Sequence, residues 1–234
     1  MGGHVILAAF AKAVGQMSDR RFLGVLGLGL ALTLALLGVF YMGFVALIGW
    51  VLPESFTLPW IGEVSWIDNV VTWASVPLML LLSAFLMVPV ASAFTSIFLD
   101  RIAAAVEDRH YPRLPPAREV GLVEGAVDGL RFLGVILAVN AVALILYLPL
   151  APIAPVIFWV VNGILLGREY GQMVALRRLD AVGAAAFRKR HRVTLFAAGV
   201  LMTVPLTIPV LNLLVPILGA ATFTHLFHRL TRAV

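Results

Sequence analysis

The chain has 234 residues, of which 62% are hydrophobic and only 12% are charged. A soluble domain carries about 25% charged residues, so the composition indicates an integral membrane protein, with residues 1–234 forming a single membrane domain. The chain has no cysteine, which excludes disulfides, thiol catalysis, iron–sulfur clusters and cysteine-bound zinc.

The first predicted element is a short helix over residues 4–17. Apolar residues recur on one of its faces, while Lys12 and Gln16 lie away from that face. This pattern is typical of a helix that lies in the membrane interface. The segment lacks a basic start and is followed by Arg20 and Arg21, so we do not expect a cleaved signal peptide here.

A long transmembrane helix is predicted over residues 20–52. Its uncharged part, residues 22–52, would extend about 46 Å as a helix, against about 30 Å for the hydrocarbon core of a bilayer. Ser18 is predicted to cap the start of this helix, with Asp19 at the positive end of the helix dipole.

Arg20 and Arg21 open this long helix. Free backbone N–H groups, the helix dipole and two guanidinium groups together suit a tetrahedral anion. The alternative is that the two arginines only anchor the helix at the membrane boundary, where basic residues are common.

A second long helix is predicted over residues 70–109. The loop before it holds Glu54, Glu63 and Asp68 but no Lys or Arg, and tryptophans surround it (Trp50, Trp60, Trp66, Trp73). Such an aromatic belt is typical of a membrane–water interface. The helix is expected to leave the membrane near Asp100.

Two further apolar regions, 132–167 and 193–227, are each interrupted by prolines. The arm 156–167 would extend only about 18 Å as a helix, too little to cross a bilayer. Each region is therefore predicted to form a half-membrane, re-entrant helical hairpin, and the alternative is four more full spans. Proline-rich backbone at membrane depth is tolerated only inside protein or beside a watery cavity, which indicates a passage.

These elements define the predicted fold class. It is an all-α integral membrane protein with two long transmembrane helices, two half-membrane helical hairpins and an N-terminal interfacial helix. All 17 Lys and Arg residues lie on one side of this arrangement, which predicts cytoplasmic termini. Because the basic residues flank apolar segments, topology explains them, and no nucleic-acid partner is expected.

Other chemistry is sparse in the sequence. His225 and His228 have a spacing that can bind metal, but no carboxylate or third His is near in the sequence, so an interface pair is expected and no metal or cofactor is predicted. The basic run 188–192 suits anionic lipid headgroups. We find no nucleophile–base arrangement, phosphate loop or nucleotide motif, so neither an enzyme nor an ATP-driven pump is expected.

The chain resembles the CysZ-type sulfate permeases and the broader family that includes the etoposide-induced protein. The likeness covers nearly the full length. It rests on five short stretches: Arg20-Arg21-Phe22, Asp100-Arg101-Ile102-Ala103 with Val106-Glu107, Glu169-Tyr170, Arg188-Lys189-Arg190-His191-Arg192, and Ile208-Pro209-Val210-Leu211-Asn212-Leu213-Leu214-Val215-Pro216.

The resemblance implies an inner-membrane protein of the bacterial cell that forms homo-oligomers and takes up sulfate for cysteine synthesis. It implies an anion site on Arg20, Arg21 and Phe22, at the start of the first long helix. The family usually has Pro-Gly-Leu upstream, whereas this chain has Met17-Ser18-Asp19. A carboxylate there should weaken anion binding.

Five further residues are predicted to line the pathway or to form ion pairs at the base of the bundle. They are Asp100, Glu107, Arg131, Arg168 and Asn212. Ionisable groups at membrane depth need partners, which favours ion pairs for Arg131 and Arg168. Asn212 is expected to satisfy backbone groups at the tip of the second hairpin.

The sequence thus predicts a multi-pass permease or channel for sulfate or a related oxyanion, in contact with membrane lipids. One alternative is a structural or scaffold membrane protein without transport activity. Another is a proton-coupled anion transporter, which is disfavoured because the uncharged parts of the two long helices hold no group that could relay protons.

Overall fold

The computed structural model describes residues 2–51, 57–58, 62–63, 98–118, 121–147 and 149–232. The helices are α1 (Gly2–Gly15), α2 (Arg20–Val51), α3 (98–110), α4 (Leu122–Tyr147), α5 (Ala154–Leu176), α6 (Ala181–Arg190), α7 (Arg192–Leu206), α8 (Pro209–Asn212) and α9 (Val215–Arg232). A 3₁₀ turn, Ala151–Ile153, precedes α5. The predicted all-helical fold class is confirmed.

The chain divides into two compact units, one comprising Met1–Leu26 with Thr95–Val234 and the other Gly27–Phe94. In the second unit, most of α2 is followed by a two-residue antiparallel ladder. In this ladder Thr57 pairs with Glu63 and Leu58 pairs with Gly62. Most of the predicted second long helix, residues 70–97, lies outside the described residues. That the whole chain acts as one membrane domain stays a prediction.

The core of the larger unit is built around α9, which is buried along most of its length. α1, α5 and α7 pack against it. Ala9 and Ala13 give α1 a small apolar face toward the core, and both are fully buried. Phe223 and Leu226 of α9 are at most 1% exposed. The C-terminal helix, predicted as one arm of a half-membrane hairpin, is thus covered by protein.

Three described helical segments are long and apolar enough to cross a membrane: Arg20–Gly43, Val127–Tyr147 and Ala151–Leu176. The first confirms the predicted long helix. The other two bear on the first hairpin, because α5 continues past Gly167 to Leu176 and would extend about 34 Å. The 18 Å estimate for this arm is therefore wrong, and half-insertion stays a prediction.

α5 and α7 approach each other closely through glycines. A Cβ atom on Gly199 of α7 would overlap the carbonyl oxygen of Gly163 and come within 2.7 Å of the backbone nitrogen of Gly167. Small residues allow backbones to meet where apolar burial alone does not drive helices together. By contrast, a Cβ on Gly24, Gly27 or Gly38 of α2 would meet nothing within 4 Å among the described residues.

Replacing Gly199 with alanine is expected to lower the free energy of unfolding by about 1–3 kcal/mol, because the added methyl must push α5 and α7 apart. The matched control is Gly134→Ala on α4, where a Cβ meets nothing within 4 Å among the described residues. That control should be neutral or stabilise by up to about 1 kcal/mol. Thermal unfolding in detergent checks both, and equal losses would contradict tight packing at Gly199.

Candidate anion site

The start of α2 is capped by Asp19. Its Oδ1 atom accepts the backbone N–H of Arg21 at 2.9 Å, and its carbonyl oxygen accepts the N–H of Leu23 at 3.0 Å. This is the geometry of an N-cap residue. The prediction that Ser18 caps the helix is therefore wrong by one residue.

The carboxylate of Asp19 is held by several donors. The backbone N–H of Arg21 contributes most to lowering its pKa below the ordinary value, while partial burial opposes this. The side chains of Gln16 and Arg109 also donate to it, at 3.3 and 3.5 Å. An acid therefore already occupies part of the positive end of α2.

Arg21 is engaged as well. Its Nη1 atom lies 2.6 Å from Oδ2 of Asp108, and both side chains are more than half exposed. Arg20 is exposed, and no described residue forms an ion pair with it. The Phe22 side chain is 1% exposed, so it fixes the helix start in the core. Only its backbone N–H is left as a possible ligand for an anion.

A second ionic cluster, the Glu107 cluster, consists of Glu107, Arg177, Arg178, His228 and Asp100. Glu107 is 4% exposed. Its carboxylate lies 2.6 Å from Arg178 Nη2, 3.2 Å from Arg177 Nη2 and 2.9 Å from His228 Nε2. Arg177 also forms an ion pair with Asp100. Each buried charge of the cluster thus has an opposite charge or a donor beside it, as burial requires.

Burial and pairing act in opposite directions on these groups. Burial alone would raise the pKa of Glu107, but hydrogen bonds from His228 and Arg178 outweigh it, so the net pKa lies below the ordinary value. Burial lowers the pKa of Arg177 to about 10, and the neighbouring charge of Arg178 adds to this. At neutral pH Arg177 remains a cation.

Helix α3 joins the two groups of charges. Three consecutive residues do this: Glu107 faces the buried cluster, Asp108 pairs with Arg21, and Arg109 reaches Asp19. A pocket of about 280 Å³ lies beside them, and Glu107, Asp108 and Arg178 contribute to its lining. The start of α2 and the buried cluster are therefore both bonded to the same helix.

The two C-terminal histidines are buried and separately bonded. The Tyr111 hydroxyl and His225 Nδ1 are 3.0 Å apart, and the ring of His110 lies 4.8 Å from that of His225. His228 bonds to Glu107 instead. Among the described residues no group of three potential ligands could hold a metal ion.

Acid is expected to destabilise the protein through His225. Burial lowers its pKa to about 3 in the folded state, against about 6.5 in an unfolded chain. The unfolded state therefore binds more protons below pH 6.5, and stability should fall there by up to about 1.4 kcal/mol per pH unit. Chemical unfolding at pH 7, 6 and 5 measures this, and His225→Gln should show a shallower slope. An equal slope in both proteins would contradict the prediction.

The other predicted site residues do not gather with Arg20 and Arg21. Asp100 and Glu107 pair with Arg177, not with Arg131 or Arg168. The Arg168 guanidinium lies 5.3 Å from the ring centre of Phe132. Arg131 and Asn212 are exposed, and no ion pair of Arg131 is found within the described ranges.

Sequence reasoning missed that Arg177 and Arg178 are the partners of Glu107. A signal was available, because two adjacent arginines directly follow an apolar helix and such charges need acidic partners when the chain packs. The spacing in the sequence does not say which acid, since Glu107 is 70 residues away from Arg177.

Together the helices and charges define a class: an α-helical membrane protein whose buried Glu107 cluster lies outside the three segments able to cross a membrane. The chain belongs to the sulfate transporter CysZ/etoposide-induced protein 2.4 family, which it matches over residues 9–216. The family description names a sulfate transporter. A search of the curated proteins returned no match.

Proposed function

We propose that this protein is a permease or channel for sulfate or a related oxyanion in the bacterial inner membrane, where it supplies sulfate for cysteine synthesis. One observation carries the proposal: in a chain of this family, two arginines begin a helix long enough to span a bilayer. A doubly negative solute is attracted both by guanidinium groups and by the N-terminal end of a helix.

The proposed anion site consists of Arg20, Arg21 and the backbone N–H of Phe22. Asp108 holds Arg21 at 2.6 Å and Asp19 takes the backbone N–H of Arg21. In this proposal the two carboxylates act as internal counter-ions that an entering anion displaces. The exposure of Arg21 and Asp108 favours such an exchange, because exposed ion pairs are weak.

The proposed passage follows the proline-broken turns that join α4 to α5 and α7 to α9. Arg131, Arg168 and Asn212 are its candidate lining residues. Leu137, Leu144 and Ile145 on α4 are each at least 63% exposed, which suits contact with lipid or with another copy in a homo-oligomer. The distribution of basic residues supports cytoplasmic termini.

Uptake of radiolabelled sulfate into liposomes tests the proposal. Vesicles that contain the purified protein should take up sulfate faster than vesicles without protein, down a sulfate gradient alone. An unrelated helical membrane protein of similar size, reconstituted at the same ratio, controls for leakage. Equal rates in all three preparations would contradict transport and leave the scaffold alternative.

A second candidate function is proton-coupled anion transport, and one observation favours it. Two buried pairs of titratable groups, Glu107 with His228 and Tyr111 with His225, lie next to each other, since the rings of Tyr111 and His228 are 4.4 Å apart. Coupling predicts that an imposed pH gradient accelerates sulfate uptake. A rate that does not depend on the gradient would leave the uncoupled permease.

A further inference from the structure

A basic surface lies at the junction of α6 and α7 and consists of Arg188, Lys189, Arg190 and Arg192. We call it the α6 basic surface. Lys189, Arg190 and Arg192 are exposed. None of the four forms an ion pair with any residue in the described part of the chain. The only acid close by in sequence, Asp180, accepts the backbone N–H of Gly183 as the N-cap of α6.

The orientation of α6 is fixed by its opposite side. Phe187 is 7% exposed and its ring lies 4.9 Å from that of Phe227 in α9. Ala184 is fully buried beside it. Because Phe187 and Ala184 fix one side of α6 against the core, Lys189 and Arg190 lie on its exposed side, whereas Arg188 is only partly exposed.

Two aliphatic side chains flank the cations. Val182 is 78% exposed and Val193 is 71% exposed. Aliphatic groups beside long basic side chains are typical of a surface that lies at the membrane interface, where the chains extend their charges toward the headgroups.

A buried donor adds a more specific observation. The Nε atom of Arg188 is buried and has no hydrogen-bond partner among the described residues. A buried N–H without a partner is unfavourable. Arg168 of α5 lies within electrostatic range of Arg188, and the carboxylate of Asp128 offsets part of this repulsion at Arg168. An anionic group beside Arg188 would supply an acceptor and reduce the remaining repulsion from Arg168.

The position of the surface identifies the partner. α5 is one of the segments able to cross a membrane, and α6 begins five residues after its last residue, Leu176. The four cations follow Leu176 by 12 to 16 residues, and Arg192 begins the shorter apolar helix α7, so the cations lie between two apolar helices. We infer that the α6 basic surface binds anionic phospholipid, with the lipid phosphate received by Arg188 and the neighbouring exposed cations.

Lipid binding by the full-length protein in detergent tests this inference, with native mass spectrometry as the readout. The probes are dioleoylphosphatidylglycerol and dioleoylphosphatidylcholine, which share the same acyl chains. The wild-type protein should retain the anionic lipid at least about tenfold better at low salt. Near a surface each cation contributes about fivefold, so Lys189→Gln/Arg190→Gln/Arg192→Gln should remove most of this preference. Equal retention of the two lipids would overturn the inference.

The control variant is Lys12→Gln/Arg101→Gln/Arg113→Gln, which removes the same charge from exposed positions elsewhere. It should bind like wild type, and an equal loss would mean that only net charge matters.

Arg188→Lys keeps the charge but removes Nε, and it should weaken lipid retention by about twofold or more. Inorganic phosphate in large excess over the lipid, at constant ionic strength, should not displace the lipid, and complete displacement would indicate a site for a free anion.

The test does not depend on the variants folding. If the triple variant aggregates, the salt dependence of lipid retention by the wild-type protein still tests the inference. Raising ammonium acetate from about 0.05 to about 0.5 M shortens the screening length severalfold and should release the anionic lipid. Retention that is insensitive to salt would overturn the electrostatic basis of binding.

Discussion

Replacing Glu107 with alanine is expected to lower the free energy of unfolding by about 3–5 kcal/mol, because removal of one partner leaves buried charges without compensation. Arg177 would be affected most, because this residue is 4% exposed and Asp100 would be its one remaining acidic partner among the described residues. His228 and Arg178 would lose an acceptor at the same time. Equilibrium unfolding in detergent, followed by circular dichroism, measures the loss.

The adjacent acid provides the matched control. Asp108 is also an α3 carboxylate with one arginine partner, but its side chain is 65% exposed. Asp108→Ala should therefore change stability little, since exposed ion pairs contribute little. If Glu107→Ala does not fold, Glu107→Gln keeps the volume and should be destabilised less. Equal stability of Glu107→Gln, Asp108→Ala and wild type would rule out a structural role for the Glu107 cluster.

The second prediction is that Arg20→Ala/Arg21→Ala weakens sulfate binding by at least about tenfold, because charge-assisted hydrogen bonds to the anion are lost. Helix content should be unchanged, since neither side chain contributes to the buried core. Lys12→Ala/Arg101→Ala, which removes the same charge from exposed positions, should bind sulfate like wild type. Equilibrium binding of radiolabelled sulfate to purified protein gives both values.

Removing the charge of a carboxylate beside the arginines should have the opposite effect and strengthen sulfate binding. Asp108→Asn frees Arg21 from its 2.6 Å contact and should tighten sulfate binding by about twofold to fivefold, the range expected for a competing exposed charge. If Asp108→Asn and Arg20→Ala/Arg21→Ala both leave binding unchanged, the anion site lies elsewhere on the protein.

Much of the fold is readable from the sequence because apolar length is a strong signal. The uncharged run after Arg21 predicts α2 to within one residue of its end at Val51. Prolines mark the turn that contains the 3₁₀ segment before α5, and the turn between α7 and α8. Proline disrupts helices through its own covalent geometry, so this part needs no tertiary information.

The predicted length of α5 is wrong because Arg168 and Glu169 resemble the end of an apolar arm. A helix is not obliged to end at its first charges, and α5 continues to Leu176. Beyond them Tyr170 packs its ring on Phe223 of α9, with centroids 5.5 Å apart. Tertiary contacts, which are absent from a local pattern, extend the helix.

The sequence predicts that ion pairs form at the charged sites, but it does not predict which residues pair. That Asp100 and Glu107 form ion pairs follows from composition, but their partners do not, because Glu107 and His228 are 121 residues apart. The predicted cap of α2 fails for a local reason. Ser and Asp are about equally good N-caps, so the sequence Ser18-Asp19 does not separate them, and the structure selects Asp19.

The central claim is that an oxyanion binds where α2 begins, and a crystal structure of the protein soaked with selenate tests it most directly. Selenium scatters anomalously and selenate has the shape and charge of sulfate. We predict an anomalous peak within hydrogen-bond distance of Arg20 and Arg21, with Asp108 displaced from Arg21. A well-ordered peak elsewhere, with the contact between Arg21 and Asp108 intact, would contradict the claim.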